Sequence, residues 1–363
     1  MNVTARVVPI IPARGSRDSV AFPVEPAGFT RAAHPTPTNR PDDGRGSRTM
    51  HAIGVDIGGT KIAAGVVDDD GRIIAKTKRK SRGLEVDALD AAIADACAEL
   101  AAEHQVGAIG LAAPGFIGAD QATVRFTPNL PWRDHPLRDR VAARLGLALP
   151  IVVENDANAA GWAEFRFGVG RQVQDMVLLT LGTGVGGAVV AGGRLILGTW
   201  GVAAELGHMR LVPDGELCGC GQRGCLEQYG SGSALGREAR AVAVADPQRA
   251  ANLIALADGD PLSIKGPLVT KAAMAGDELA VELLAGVGRW VGQGCASLAA
   301  VLDPELFVLG GGVAAAGDLV LEPAREAFSE HLSARGFHPE ARIELAAMGN
   351  EAGIVGAADL ARH

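Results

Sequence analysis

Cysteine is scarce in this chain, five in 363 residues, which excludes a small secreted domain held together by disulfides. A basic excess is missing as well. The 34 lysines and arginines are outnumbered by 42 acids, and the net charge of −8 offers no global field for nucleic acid. No hydrophobic run suits a bilayer either: the longest uncharged stretch, Met176 to Gly193, contains six glycines and two threonines and reads as strand, turn and strand. With no apolar signal-peptide core near the start, the expected setting is a reducing cytoplasm, with no membrane partner. What is present is 48% hydrophobic residues, enough to bury a substantial core, expected as two domains.

Residues 1–49 hold seven of the nineteen prolines, no lysine, and seven arginines against four acids, without a sustained period. They are expected to be a disordered extension. From His51 the pattern changes. Ile53, Val55 and Ile57 alternate with small or polar residues, and Ile62 to Val67 resumes the strand after DIGGTK, so a hairpin is predicted. In its turn, Gly58 and Gly59 let backbone N–H groups approach an anion, Thr60 adds a hydroxyl and Lys61 a charge, while Asp56 is placed to hold a hydrated Mg2+. Taken alone, this turn is better accounted for by an ordinary glycine hairpin.

Asp70-Gly71 marks a second hairpin turn, and Leu89, Ile93, Cys97 and Leu100 form a helical stripe that makes Cys97 a core residue. Ala108 to Ala112 reads as a buried strand ending at Pro114-Gly115, with Asn129 in a loop between two prolines. A helix over Leu137–Leu145 closes at Gly146. Ile151 to Val153 is a short strand delivering Glu154, Asn155 and Asp156 to its carboxyl end, where ligands gather in α/β sheets. There Asp156 serves as a helix cap, a catalytic group or both.

Met176 to Leu181, the turn Gly182-Thr183-Gly184 and the strand Val185 to Val190 repeat the first hairpin in kind, and Leu195 to Leu197 is read as a further strand. Two such turns are able to face one phosphate chain. A third glycine cluster, Gly310 to Gly312, follows the apolar run Leu306 to Leu309 and precedes a helix expected from about Glu322. The helix before it carries a stripe at Leu284, Val287, Val291, Cys295, Leu298 and Leu302, with Gly288 and Gly292 permitting close approach of a neighbour.

The segment Glu205 to Glu227 gathers His208, Cys218, Cys220 and Cys225 within twenty-three residues. Four ligands of this kind make a closed, structural Zn2+ site. Buried small cysteines beside an incidental histidine are the plainer reading, but clustering in a chain so poor in cysteine favours the metal.

DIGGTK, ENDANAA, LGTGVGG, the ELGH-to-GCLE segment and VLGGGV, in that order, together resemble the ROK family of sugar kinases and repressors, with bacterial and particularly actinobacterial ATP-dependent glucokinases nearest in pattern. The resemblance covers Met50 to the C-terminus. It implies an α/β chain with the actin-like ATPase (ribonuclease H-like) fold: a small α/β domain of 50–163 plus 352–363 and a large one of 164–351 flank a cleft, and the zinc loop 205–227 belongs to the large domain. It further implies ATP and Mg2+ beside the structural Zn2+, glucose as substrate, and a homo-oligomer, dimer or tetramer.

By the same resemblance Asp156 is the base for the sugar 6-hydroxyl, and Asn129, Asn155, Glu205, His208 and Glu227 contact the sugar. Asp56, Gly58, Gly59, Thr60 and Lys61 form the first phosphate loop, Thr183 and Gly184 the second, and Gly311 and Gly312 lie near adenosine. The rival readings are another hexose kinase, for N-acetylmannosamine or fructose, and a sugar-sensing repressor. The repressor requires a DNA-binding module that the proline-rich residues 1–49 do not resemble.

Overall fold

A computed structural model describes residues 50–363; the expectation of a disordered segment at 1–49 lies outside the described residues. The first half runs β1 (His51–Ile57), β2 (Lys61–Val67), β3 (Ile73–Lys80), α1 (Val86–Glu103) and β4 (Val106–Ala113). A small antiparallel sheet of β5 (Phe116–Ile117), β6 (Val124–Phe126) and β7 (Arg133–His135) follows, then α2 (Leu137–Leu145), β8 (Ile151–Asn155) and α3 (Asp156–Arg166). The second half contains β9 (Met176–Leu181), β10 (Val185–Ala191) and β11 (Arg194–Leu195), and then five helices, α4 (Glu227–Gly230), α5 (Gly232–Ala245), α6 (Ala251–Leu256), α7 (Gly266–Met274) and α8 (Glu278–Leu302). It closes with β12 (Leu306–Gly310), α9 (Gly311–Ala314), α10 (Asp318–His331), β13 (Arg342–Leu345) and α11 (Ala352–Leu360).

The two large sheets have the same topology. In the first the order is β3-β2-β1-β4-β8, in the second β11-β10-β9-β12-β13. Each opens with an antiparallel hairpin and adds two parallel strands. Parallel strands need a crossover that covers a face. Hence β1, β4, β9 and β12 are apolar over most of their length, whereas β3, at an edge, alternates half-buried and exposed residues. Both glycine turns fall at the same place in their sheets, between the first and second strands.

The C-terminal helix α11 lies on the first sheet. A Cβ on Gly54 or Gly110 would come 1.8 Å from the carbonyl oxygens of Ile354 and Ala357, so only glycine lets the helix backbone rest on β1 and β4. Asp359, almost fully buried, accepts from Trp162 Nε1 at 2.8 Å and Arg166 Nε at 3.1 Å and fixes α11 to α3. Glu164 of α3, also buried, accepts the Met348 N–H at 2.7 Å and so holds the segment leading into α11.

Local expectations fare well. α1 buries Leu89, Ile93, Cys97 and Leu100, α2 spans Leu137–Leu145, and Gly146 closes it in the left-handed region at φ 62°. Gly292 admits α10, since a Cβ there would lie 2.2 Å from Ala324 O.

Three details differ. Leu302, at the last position of α8, is 36% exposed and stands outside the stripe because the helix ends there and leaves the core. The helix expected from about Glu322 begins at Asp318, with α9 before it. Pro323 sits inside α10. The strand expected at Leu195 to Leu197 shrinks to the two-residue β11, paired with Val190 and Ala191.

Candidate active site

The strand β8 and helix α3 meet at Asn155 and Asp156. Asn155 is the cap: its Oδ1 accepts from the amides of Ala157 at 2.9 Å and Asn158 at 3.0 Å, and its Nδ2 donates to Gly115 O at 3.0 Å. The cap expected at Asp156 is therefore one residue earlier, and Asp156 is the first helical residue. Its Oδ1 accepts the Ala157 N–H at 2.9 Å. Burial pushes the Asp156 carboxyl above the usual range, while the N-terminal end of α3 favours its anion. With these bonds made, Asn155 keeps one amide hydrogen for any ligand.

Beneath this pair lies Glu154, only 3% exposed, which the motif reading left without a role. It accepts from Asn155 N at 2.8 Å, Asn158 Nδ2 at 3.0 Å and Gln121 Nε2 at 3.0 Å, and burial raises its carboxyl. Gln121 holds its left-handed backbone at φ 47° in the β5–β6 turn, and its carbonyl accepts the Val153 N–H at 2.9 Å. A glutamate at the end of an apolar strand was the one available signal. Gln121, thirty-three positions away, gave none.

Asp56, near the end of β1, shares surroundings with Asp156. Burial, and then the Asp156 charge, push its carboxyl up to about 6, with Lys61 acting against them. In the first turn the Gly58 amide is already used, donating to Lys61 O at 2.9 Å, while Ser81 Oγ donates to Gly58 O at 2.6 Å. The expectation that Gly58 presents its N–H to an anion is corrected accordingly. The amides of Gly59 and Thr60 have no protein partner among the described residues, and Asn129 lies against Gly59, its Cβ 3.5 Å from where a Gly59 Cβ would stand.

In the second turn Gly182 N donates to Gly184 O at 3.0 Å, and the carbonyls of Gly182 and Thr183 accept from the amides of Gly232 and Ser233, which seats the turn on the start of α5.

Two cavities meet at the third glycine cluster. One, about 750 Å³, is lined by Asp56, Asp156, Glu164, Thr180, Asn350 and the backbone of Gly310 to Gly312. The other, about 700 Å³, lies between Thr183, Ser233, Lys265, Thr270, Lys271 and Gly312. Both fall in the range of small-molecule sites. Thr183, Gly311 and Gly312 line one or other of these cavities, whereas Gly58, Gly59, Thr60, Lys61 and Gly184 line neither. Lys265, which precedes α7, and Thr270 and Lys271 within it were missed because no motif marks them.

Glu205, His208 and Glu227 form a further group whose charges reach one another and Asp156. Burial raises the Glu205 carboxyl, the His208 charge opposes the rise, and the charges of Asp156 and Glu227 add to it. Glu227 Oε2 accepts the Val185 N–H at 3.0 Å, and Glu227 Oε1 lies 3.7 Å from Cys218 Sγ.

The ligand atoms of His208, Cys218, Cys220 and Cys225 all lie within 4.8 Å of one another. Cys220 Sγ to Cys225 Sγ is 3.7 Å and Cys218 Sγ to His208 Nδ1 is 3.6 Å. A tetrahedral Zn2+ with ordinary bond lengths separates two sulfurs by about 3.8 Å and sulfur from nitrogen by about 3.6 Å, so the set fits this ion. Burial and the neighbouring thiols push Cys225 up to about 12; a cation is what would hold it as thiolate. Because Nδ1 faces the cysteines, Nε2 is the ring nitrogen left for another partner.

The ROK family model matches residues 52–363. The chain is 48% identical to the glucokinase of Streptomyces coelicolor over 311 residues, 86% of this chain and 97% of that one. It also resembles the crystal structure of a ROK family glucokinase from Streptomyces griseus in complex with glucose and AMPPNP, at TM-score 0.77 and 49% identity, covering 86% of this chain and 99% of the other. An N-acetylmannosamine kinase of Yersinia pseudotuberculosis is 35% identical over 267 residues, covering 72% of this chain and 82% of that one.

Proposed function

Because the chain belongs to the ROK family of actin-like ATPases, we propose that it is an ATP-dependent glucokinase that moves the γ-phosphoryl group of ATP to the 6-hydroxyl of glucose. The observation that carries this reading is that Asp156 is close enough to Glu205 for its charge to act on that carboxyl, beside His208 and Glu227, and at the same time lines the cavity of about 750 Å³ with Asp56 and Gly310 to Gly312. Identity to a Streptomyces glucokinase over nearly its whole length supports glucose over N-acetylmannosamine.

Asp156 takes the proton of the 6-hydroxyl as that oxygen bonds to the γ-phosphorus and the bond to the β–γ bridging oxygen breaks, giving glucose 6-phosphate and ADP. Burial makes its carboxylate a stronger base than one in water, and its site on the first turn of α3 fixes its direction. Glu205, Glu227 and His208 Nε2, with Asn129 and the spare hydrogen of Asn155, bind the remaining hydroxyls. A site that pairs every hydroxyl penalises epimers by leaving buried groups unmatched.

The amides of Gly59, Thr60 and Thr183, with Lys61, hold the phosphates, and Gly311 and Gly312 lie against adenosine where the cavities of about 750 and 700 Å³ meet, Gly311 lining the first and Gly312 both. Mg2+ neutralises charge on the β- and γ-phosphates when bound. Asp56 is the residue to hold it, since a buried carboxyl raised to about 6 beside a second acid is a group that a cation would keep ionised. Zn2+ on His208, Cys218, Cys220 and Cys225 fixes the loop that carries Glu205 and Glu227.

We read 50–163 with 352–363 as the small domain and 164–351 as the large one, with the crossing made along α3. The family likeness further leads us to expect a cytoplasmic dimer or tetramer. A coupled assay of ADP release over glucose, mannose, fructose and N-acetylmannosamine tests the substrate. Glucose should give the highest kcat/KM; faster use of N-acetylmannosamine would sink the assignment.

A further inference from the structure

Gly184 stands in the second glycine turn, where a glycine is ordinarily explained by the approach of a phosphate to the backbone. Its surroundings point elsewhere. Its backbone is not left-handed, so conformation alone does not require glycine. A Cβ at this position would lie 2.1 Å from Glu227 Oε2 and 3.0 Å from Glu227 Cδ, and the next nearest atom would be Glu227 Cγ at 3.7 Å. The space of the missing side chain is thus filled by one carboxylate. Gly182, at the other end of the turn, differs: a Cβ there would meet nothing within 4 Å.

The oxygen that fills the space, Glu227 Oε2, is also the one that accepts the Val185 N–H at 3.0 Å. Glu227 opens α4 two residues after the thiol ligand Cys225. Two segments therefore meet on one carboxylate: the metal loop sets where its backbone starts, and the second glycine turn sets where its oxygens end.

We propose that Gly184 is a positioning residue for the sugar: the seat left by its absent side chain, with the Val185 N–H, holds the Glu227 carboxylate in the orientation it presents to sugar hydroxyls. The inference rests on the reading of Glu227 as a sugar contact. It separates Gly184 from phosphate binding, the role its motif suggests. An alanine there displaces Glu227 and leaves the amides of Thr183 and Gly59 as they were.

Steady-state kinetics with glucose and Mg·ATP test this on the full chain. Gly184→Ala is expected to raise the KM for glucose at least about tenfold and to leave the KM for Mg·ATP within about threefold. In a Glu227→Asp background the shorter carboxylate vacates the seat, so adding Gly184→Ala should change the glucose KM by less than about threefold. A loss expressed in the ATP KM instead, or an equal glucose penalty in both backgrounds, overturns the proposal.

If Gly184→Ala fails to fold, as judged by zinc content and unfolding midpoint, recovery of the fold in Gly184→Ala/Glu227→Asp supports the contact, and failure of both overturns it. Wild-type kinetics in the same series keep the two questions apart. A wild-type chain that prefers another hexose refutes glucose alone, and the KM of that hexose then enters the same comparison. If no sugar is turned over, the midpoint recovery still decides the contact.

Discussion

Asp56→Asn should make the protein more stable while abolishing its use of Mg·ATP. Burial, followed by the Asp156 charge, raises the Asp56 carboxyl from 3.8 to about 6. Below 3.8 the group is protonated in folded and unfolded chains alike and contributes no penalty. Between 3.8 and about 6 the folded chain keeps a proton that the unfolded chain releases, so this group costs more stability as pH rises. Above about 6 the cost is constant at about 3 kcal/mol, which follows from the rise from 3.8 to about 6.

Asparagine has nearly the same shape and no charge. The variant should therefore exceed wild type by up to about 3 kcal/mol at pH 8, by about half of that at pH 5 and by little at pH 4. Paired urea or thermal unfolding at these pH values, without nucleotide, reads the difference. Mg·ATP at 100 times its Kd should then stabilise the wild type by about 2.7 kcal/mol and the variant far less. A variant no more stable than wild type at pH 8, or one with the same gain at pH 4 and pH 8, would refute the reasoning.

Other outcomes are expected from the same site. Asp156→Asn, which cannot take a proton, should lower kcat at least about 100-fold with glucose binding retained by calorimetry; near-normal turnover removes it as the base. Activity should fall as pH drops through about 6, because Asp56, up at about 6, and Asp156, also raised, must both be ionised; a flat kcat/KM profile from pH 5 to 8 speaks against both roles. Cys220→Ala should release zinc, measured by atomic absorption, and weaken glucose binding by at least about tenfold through Glu205 and Glu227; retained metal with unchanged affinity contradicts the loop's role. Gly54→Val, which drives a side chain into the Ile354 carbonyl, should lower the unfolding midpoint by several degrees or prevent folding, and an unchanged midpoint would mean that α11 does not rest on β1 in this way.

How much of the site was legible depended on how local each part was. The candidate metal group His208, Cys218, Cys220 and Cys225 lies within eighteen residues, so spacing alone exposed it. Asp156 was visible because a short apolar strand ends just before it. Glu154 and Gln121 were not, since the bond that joins them spans thirty-three positions and the glutamine sits in an unremarkable turn. Lys265, Thr270 and Lys271 belong to the same class: they line a cavity whose other wall, Thr183 and Gly312, is far away in sequence.

The sequence by itself determined the two glycine hairpins, the α1 stripe, the α8 stripe as far as Leu298, the Gly146 stop and the clustering of His208 with three cysteines, because each rests on interactions within a few turns of chain. Only the tertiary structure decided that both sheets share one strand order, that α11 returns to lie on β1 and β4, and that the absent side chain of Gly184 is the seat of Glu227. A glycine in a sequence marks a place where something comes close; what comes close is chosen by packing between segments that the local pattern does not connect.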